Sequence, residues 1–311
     1  MTRWGLVSTV RAPAADIARF AAHHLALGAA ELHLYLDAPD PATIAMLSAD
    51  PRITAVACDD AWWATRRRPR MAAHQLRQLH NATLSYRAVA GRLDWLGHID
   101  VDEFLLAERP VAEALDALPP EAEFARILPA ELLAPEPGAQ PRHFKRAPRH
   151  MGVSRQVLQD IYPTFGMHLR EGFLSHSAGK VFARPGRPGT RLGVHTLRRD
   201  GAALRTPFRL AHVLLGHAHA PSWDLFERHF EFRRTRGSYR PDRSSGGRLG
   251  RGDILALVHE TEGMAGLRAF FDEVCRDHPE LRARLDAHGL LHVHPLDPGP
   301  AAARLFGRAA A

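Results

Sequence analysis

The stretch WLGHIDVDEFLL, Trp95 to Leu106, decides the reading: an apolar run ends in three acids, Asp100, Asp102 and Glu103. Carboxylates this close repel one another unless something positive sits between them. Read as a strand, the segment alternates its faces, so Asp100 and Asp102 are expected on one side and Ile99 and Val101 on the other. Two hard oxygen donors converging on one point suit Mg²⁺ or Mn²⁺, which share their remaining positions with water and substrate phosphates. An isolated Asp-x-Asp is more often a polar strand end followed by a turn. Here Trp95, Leu96 and Ile99 on one side and Phe104, Leu105 and Leu106 on the other place the pair at the mouth of a buried strand. Glu103, facing away from its neighbours, is expected to support the pair rather than to ligate.

Upstream, Trp4 to Val10 reads as a buried strand, Ala14 to Leu27 as a helix ended by Gly28, and Glu31 to Asp37 as a second strand. A helix at Pro41 to Ser48, a strand at Ile53 to Asp59 and a long helix at Arg70 to Ala90 lead into the acid-bearing strand. This alternation predicts an α/β fold with a mostly parallel, Rossmann-like sheet covered by helices on both faces. Ligands of such sheets bind beyond the carboxyl ends of the strands. Asp37, Asp59, Asp60, Asp100 and Asp102 all fall at predicted strand ends.

Downstream the pattern loosens. A short helix at Val111 to Leu118 and a strand at Phe124 to Leu128 precede a Pro- and Gly-rich excursion from Pro129 to Pro148. Strands follow at Lys180 to Arg184, Leu192 to Leu197 and Phe208 to Leu215, the first two joined by the turn RPGRPGTR. From Ser222 onward the pattern is helical, with Ser222 expected to cap WDLFERHFEFRR and Asp253 to cap ILALVHE. The expected organisation is a main domain over residues 1–220, a helical extension over 221–295 and a dispensable tail over 296–311.

The 311 residues are 45% hydrophobic, ample for a core, and carry a formal charge of +7. Only Lys145 and Lys180 are lysines, so 39 of the 41 basic residues are arginines, a bias that reads as genome composition. Arginine is dense in RRRPR, Arg66 to Arg70, and in ERHFEFRRTRGSYR, Glu227 to Arg240. An Arg-rich module binding nucleic acid or another anionic polymer is therefore the alternative reading. It leaves five acids at strand ends unexplained, and no aromatic platform interleaves the arginines. A metal-dependent phosphohydrolase would use the same carboxylates but needs more ligands to hold two metals. Cys58 and Cys275, the only cysteines, fit reduced, buried thiols of a cytoplasmic protein. No stretch reads as a membrane span, and Arg3 and Arg11 interrupt any signal peptide, so membrane contact is expected to be peripheral at most, at an anionic inner face.

Twenty histidines invite a metal reading, but the sequence has no HExxH and no CxxC, and His23 and His24 lie in the first helix. His195, in RLGVHTL, is expected on a strand where it could complete an Asp-Asp-His shell. His217 and His219 stand two apart at a strand end before a helix. They are read either as two solvent-facing imidazoles or as a phosphate or metal contact helped by the helix N-terminus.

Five segments together resemble the GT-A glycosyltransferases of the family-2-like group, bacterial relatives of glycosyltransferase family 92. They are FAAHHLALGAAELHLYLDAPD, RMAAHQLRQLHNATL, WLGHIDVDEFL, HSAGKVFARPG with RLGVHTL, and GHAHAPSWDLFERHFEFRRTRGSY, spanning most of residues 1–245. The Trp-to-Asp-x-Asp-Glu-Phe block is the most specific. The resemblance implies transfer of a sugar from a nucleotide-sugar donor, a UDP-sugar first, to a glycan or lipid-linked acceptor, with no nucleic-acid partner. It implies that Asp100 and Asp102 hold Mn²⁺ or Mg²⁺ with His195 as a third ligand, that Asp37 contacts the nucleoside, and that Lys180 lies near the phosphates. Relatives show Arg-Asn-Glu after the first strand where this chain has Arg11-Ala12-Pro13, so only Arg11 is carried over there. Such chemistry also calls for a group that takes the acceptor proton. Asp102 and Asp224 are the candidate catalytic residues, Asp224 as the base just past the His217 and His219 turn; an acid in the first turn of a helix is just as well explained by the helix dipole, and that structural explanation is favoured for Asp224.

Overall fold

The computed structural model describes residues 1–66, 69–169, 171–205, 207–237, 239–240 and 250–307. The first segment of the chain folds as β1 (Trp4–Val10), α1 (Ala14–Ala26), β2 (Glu31–Leu36), α2 (Pro41–Ser48), β3 (Ile53–Ala57), α3 (Asp60–Ala64) and α4 (His74–Ala88). It continues through β4 (Trp95–His98), β5 (Glu103–Ala107), α5 (Val111–Asp116) and β6 (Phe124–Leu132). Then come β7 (His143–Arg146), α6 (Val157–Ile161), β8 (Lys180–Ala183), β9 (Thr190–Leu192), β10 (Leu197–Arg199), β11 (Ala202–Ala203) and β12 (Phe208–His217). The chain closes with α7 (Trp223–Arg236), α8 (Arg251–Val274), α9 (Pro279–Ala287), β13 (Leu291–Val293) and α10 (Gly299–Phe306).

These elements form two compact units, neither of them contiguous in sequence. The first holds Met1–Leu128, Ala178–Leu215 and the segment from Pro298 onward; the second holds Pro129–Ser177 and Gly216–Asp297. A single break at residue 220 therefore does not describe the chain. Local sequence carries no mark of which distant segments will pack together.

The first unit is α/β, with a mixed, mostly parallel sheet flanked by helices and compatible with a Rossmann-like fold. Its parallel part runs β4-β1-β2-β3. β8 joins β4 antiparallel, and β6 joins β8 antiparallel. Every residue of β1 is buried, which is why its sequence is apolar without alternation. Val7, Tyr35 and Leu96 of the strands pack against Ala82 and Tyr86 of α4 and Val89 at its C-terminal end. Gly97 is required on β4, because a Cβ there would stand 2.7 Å from Leu6 Cδ2 and 2.8 Å from Phe182 Cε1. The tail is packed onto the unit: α10 sets Ala302 on Ala18 and Ala22 of α1, with Met46 and Phe306 alongside.

In the second unit β7 pairs with the far end of β6 and with β13, all antiparallel. Its core gathers Leu158, Tyr162, Phe226, Phe230, Leu255, Phe270, Phe271 and Val274. The Pro- and Gly-rich excursion contributes β7 to this unit. Ser222 caps α7 as expected, accepting from Leu225 N at 3.3 Å. Asp253 is not the cap of α8. The helix starts at Arg251, and Asp253 sits in its first turn, accepting from Gly250 N at 2.7 Å. α8 breaks at Gly263, whose φ of +63° lies in the left-handed region. Cys58 and Cys275 are free and buried.

Candidate functional site

Asp100 and Asp102 do not stand on a strand. β4 stops at His98, β5 begins at Glu103, and the residues between form a tight turn in which Glu103 N donates to Asp100 O at 3.0 Å. The Glu103 carboxylate, fully buried, closes the same turn by accepting from Asp100 N at 2.8 Å. Strand alternation therefore does not govern where Asp100 and Asp102 point. The apolar Ile99 and Val101 imitate a continuing strand, whereas Glu103 supplies the backbone partner that ends it. Asp102 sits half-buried inside the turn.

Asp100 is gripped from two directions. β8 runs antiparallel to β4 with Val181 opposite His98, which brings Lys180 level with the start of the turn. Its Nζ lies 2.7 Å from Asp100 Oδ2 and 3.4 Å from Glu103 Oε2. From α4, Gln78 Nε2 donates to Asp100 Oδ1. Lys180 is fully buried. Burial alone would push its ammonium down, but Asp100 and Glu103 outweigh burial and push it up to about 12.

The residue before Gln78 does the same for the neighbouring acid. Arg77 Nε lies 2.9 Å and Nη2 2.7 Å from Asp37 Oδ2, while Arg70 Nη2 reaches Asp37 Oδ1 at 3.0 Å. Burial pushes the Asp37 carboxyl up, yet His74, Arg77 and Arg70 together hold it well below the usual carboxylate range. Consecutive residues of α4 thus hold the acids just beyond β2 and β4, the two strands that flank β1. Arg11, just past the end of β1, is exposed.

His98 and His195 are both shifted toward the neutral form. His98, fully buried, donates from Nδ1 to Gly193 O at 2.8 Å, and burial, helped by Lys180, pushes it down to about 4. His195 donates from Nδ1 to Gly179 O at 2.8 Å and is lowered by burial and then by Lys180. A carbonyl can only accept, so Nδ1 carries the proton and Nε2 keeps the lone pair of a metal-ligating imidazole. His195 is not on a strand. The expected strand from Leu192 to Leu197 is the turn of a hairpin, with β9 pairing antiparallel to β10 and His195 in the bend between them.

In the second unit, His217 and His219 are buried rather than solvent-facing. Their rings are 5.2 Å apart, and each offers a ring nitrogen within 4.8 Å of the other's. His219 Nε2 is 2.9 Å from Tyr239 Oη, and Arg233 reaches Tyr239 Oη at 3.2 Å and His219 O at 3.0 Å. Burial and the Arg233 charge push His219 far below its ordinary value. Asp224 is exposed in the first turn of α7, where the helix dipole suits it.

Of the site residues expected from sequence, Arg11, Asp37, Asp100, Asp102, Lys180 and His195 belong to the first unit and Asp224 to the second. Within the first, the structure brings Asp100, Lys180 and Glu103 together and sets Asp37 in its own basic clamp. Gln78, Arg70 and Arg77 carry structural roles that the sequence did not assign. The signal lay in α4, where Arg77, Gln78, Asn81 and Ser85 recur three or four residues apart and form a buried polar stripe. The region Ser238 to Gly252 lies largely outside the described residues. Among the described residues, no helix is long and apolar enough to cross a membrane. No protein-family model and no curated protein sequence matches this chain.

Proposed function

We propose that the chain is a metal-dependent GT-A glycosyltransferase that moves a sugar from a nucleotide-sugar donor, a UDP-sugar first, to a hydroxyl of a glycan or lipid-linked acceptor. The observation that carries this reading is the acidic turn Asp100–Glu103 at the carboxyl end of β4, inside the parallel part of the sheet, the edge where ligands of such sheets bind. With Asp100, Asp102 and Glu103 set against Lys180, the turn keeps an excess of negative charge, and its donors are the hard oxygens that Mg²⁺ and Mn²⁺ prefer. The residues present therefore fit a divalent ion. Asp102 would hold it, with the Asp100 carboxylate beside it and an imidazole completing the set.

Once bound, such an ion offsets the charge that builds on the departing diphosphate. The chain's own groups supply the rest. Arg70, part-exposed while Asp37 holds its guanidinium, offers a fixed cation to an anionic donor, and Arg11, exposed after β1, a second charge. His195, shifted toward its neutral form, would be the third ligand. Asp224, exposed and acidic, is the candidate to take the acceptor proton.

The test is release of nucleoside diphosphate from a panel of nucleotide sugars, with Mn²⁺ and with chelator. Asp102→Asn is expected to lower metal-dependent turnover by about 100-fold or more, the scale of losing a charge-stabilising group. Unchanged turnover in that variant, or turnover that ignores chelator, would overturn the metal role. A His195→Ala variant then shows whether the reaction needs that imidazole.

A further inference from the structure

The resemblance sets Lys180 near the donor phosphates, but the geometry assigns it elsewhere. Its ammonium is fully buried and already spent on carboxylates, 2.7 Å from Asp100 and 3.4 Å from Glu103. Gln78 covers the other Asp100 oxygen. One oxygen of the first acid of the motif therefore faces a fixed internal cation and the other a neutral amide. We infer that Lys180 is a positioning residue and built-in counter-ion: it competes with a divalent ion for Asp100, so that the turn binds metal through Asp102 and only loosely until an anionic donor arrives. This rests on the reading of the turn as a cation site and adds what sets its affinity.

The inference fixes a sign. A positive charge beside a cation site weakens binding of that cation, so removing it strengthens binding. A lysine turned away from these carboxylates toward the donor phosphates stands farther from the cation, and its removal would change affinity for the metal alone far less. A lysine whose only task is to hold the turn in shape would, on removal, loosen the turn and weaken metal binding.

The experiment titrates the full chain with Mn²⁺ alone and reads free Mn²⁺ by electron paramagnetic resonance. Lys180→Met removes the charge at similar length, Lys180→Gln removes it while keeping a donor for Asp100, and Lys180→Arg keeps it. The Met and Gln variants are expected to bind Mn²⁺ on the order of tenfold more tightly than the parent, and the Arg variant like the parent. Should the Met variant fail to fold, the Gln variant decides. Affinity that is unchanged or weaker in the folded uncharged variants, or no Mn²⁺ binding in any of them, overturns the inference. If the parent binds no Mn²⁺ but the uncharged variants do, the counter-ion role stands. Whether the reaction needs metal is decided separately, by the turnover assay with chelator.

Discussion

Asp37 shows how a residue's place can be legible while its partners are not. Its position just past β2 was legible, because a buried apolar strand ending in an acid marks a sheet edge. What it touches was not, since Arg70 and Arg77 lie 33 and 40 residues away in sequence. With both carboxylate oxygens taken by guanidiniums, Asp37 stabilises a clamp and turns Arg70 into a fixed cation. Asp37→Asn should therefore cost about 3 kcal/mol in denaturant unfolding, because it leaves the mostly buried Arg77 without its counter-charge. A depressed carboxyl contributes stability above its ordinary value, near pH 4, and loses it as the pH falls through and below that value. The parent and the Asn variant should then converge in stability toward pH 2. A constant difference down to that pH would show that the carboxylate charge is not what Asp37 contributes.

Among the elements, the parallel strands and the helices between them were legible, for local reasons. α2 keeps the bounds read from sequence because Asp40 caps it, accepting from Thr43 N at 2.9 Å, and Pro41 opens it. The errors fell where local pattern and tertiary partner disagree. Ile99 and Val101 continue the apolar beat of β4, yet the Glu103 carboxylate turns the chain. Leu192 to Leu197 looks like one strand because its ends are apolar, yet Gly193 N donates to Thr196 O at 2.9 Å and folds it back. α10 is a third case: eight residues rich in alanine carry little signal alone and find their purpose only on α1. Removing everything after Asp297 should uncover Ala18 and Ala22 and lower stability by about 2 kcal/mol, measured by urea unfolding. An unchanged midpoint would mean that α10 merely rests on α1.

At the level of the whole molecule, both units store histidines that are buried and neutral: His24 and His98 in the first, His219 in the second. A histidine whose folded value lies below its unfolded one makes the unfolded chain the better proton binder. Its stabilising contribution is complete above about pH 6.5 and falls as the pH drops toward the folded value. For His98, folded at about 4, the loss between those limits is about 3 kcal/mol. Melting temperature should therefore decline steadily from pH 7 to pH 4.5, and His98→Gln, which keeps a donor for Gly193 O, should flatten that slope. A parent whose melting temperature is level across this range would show that these imidazoles are hydrated.

The placement of α10 also has a consequence for how the protein is made. α1 leaves the ribosome early, and the helix that covers it is the last one described, with the whole second unit translated in between. At about 5–20 residues per second, the alanine face of α1 waits on the order of 10–60 s for its cover. The first unit to begin folding is thus the last to finish. In the cell that interval is a window for chaperone binding, and it closes only once α10 has been made.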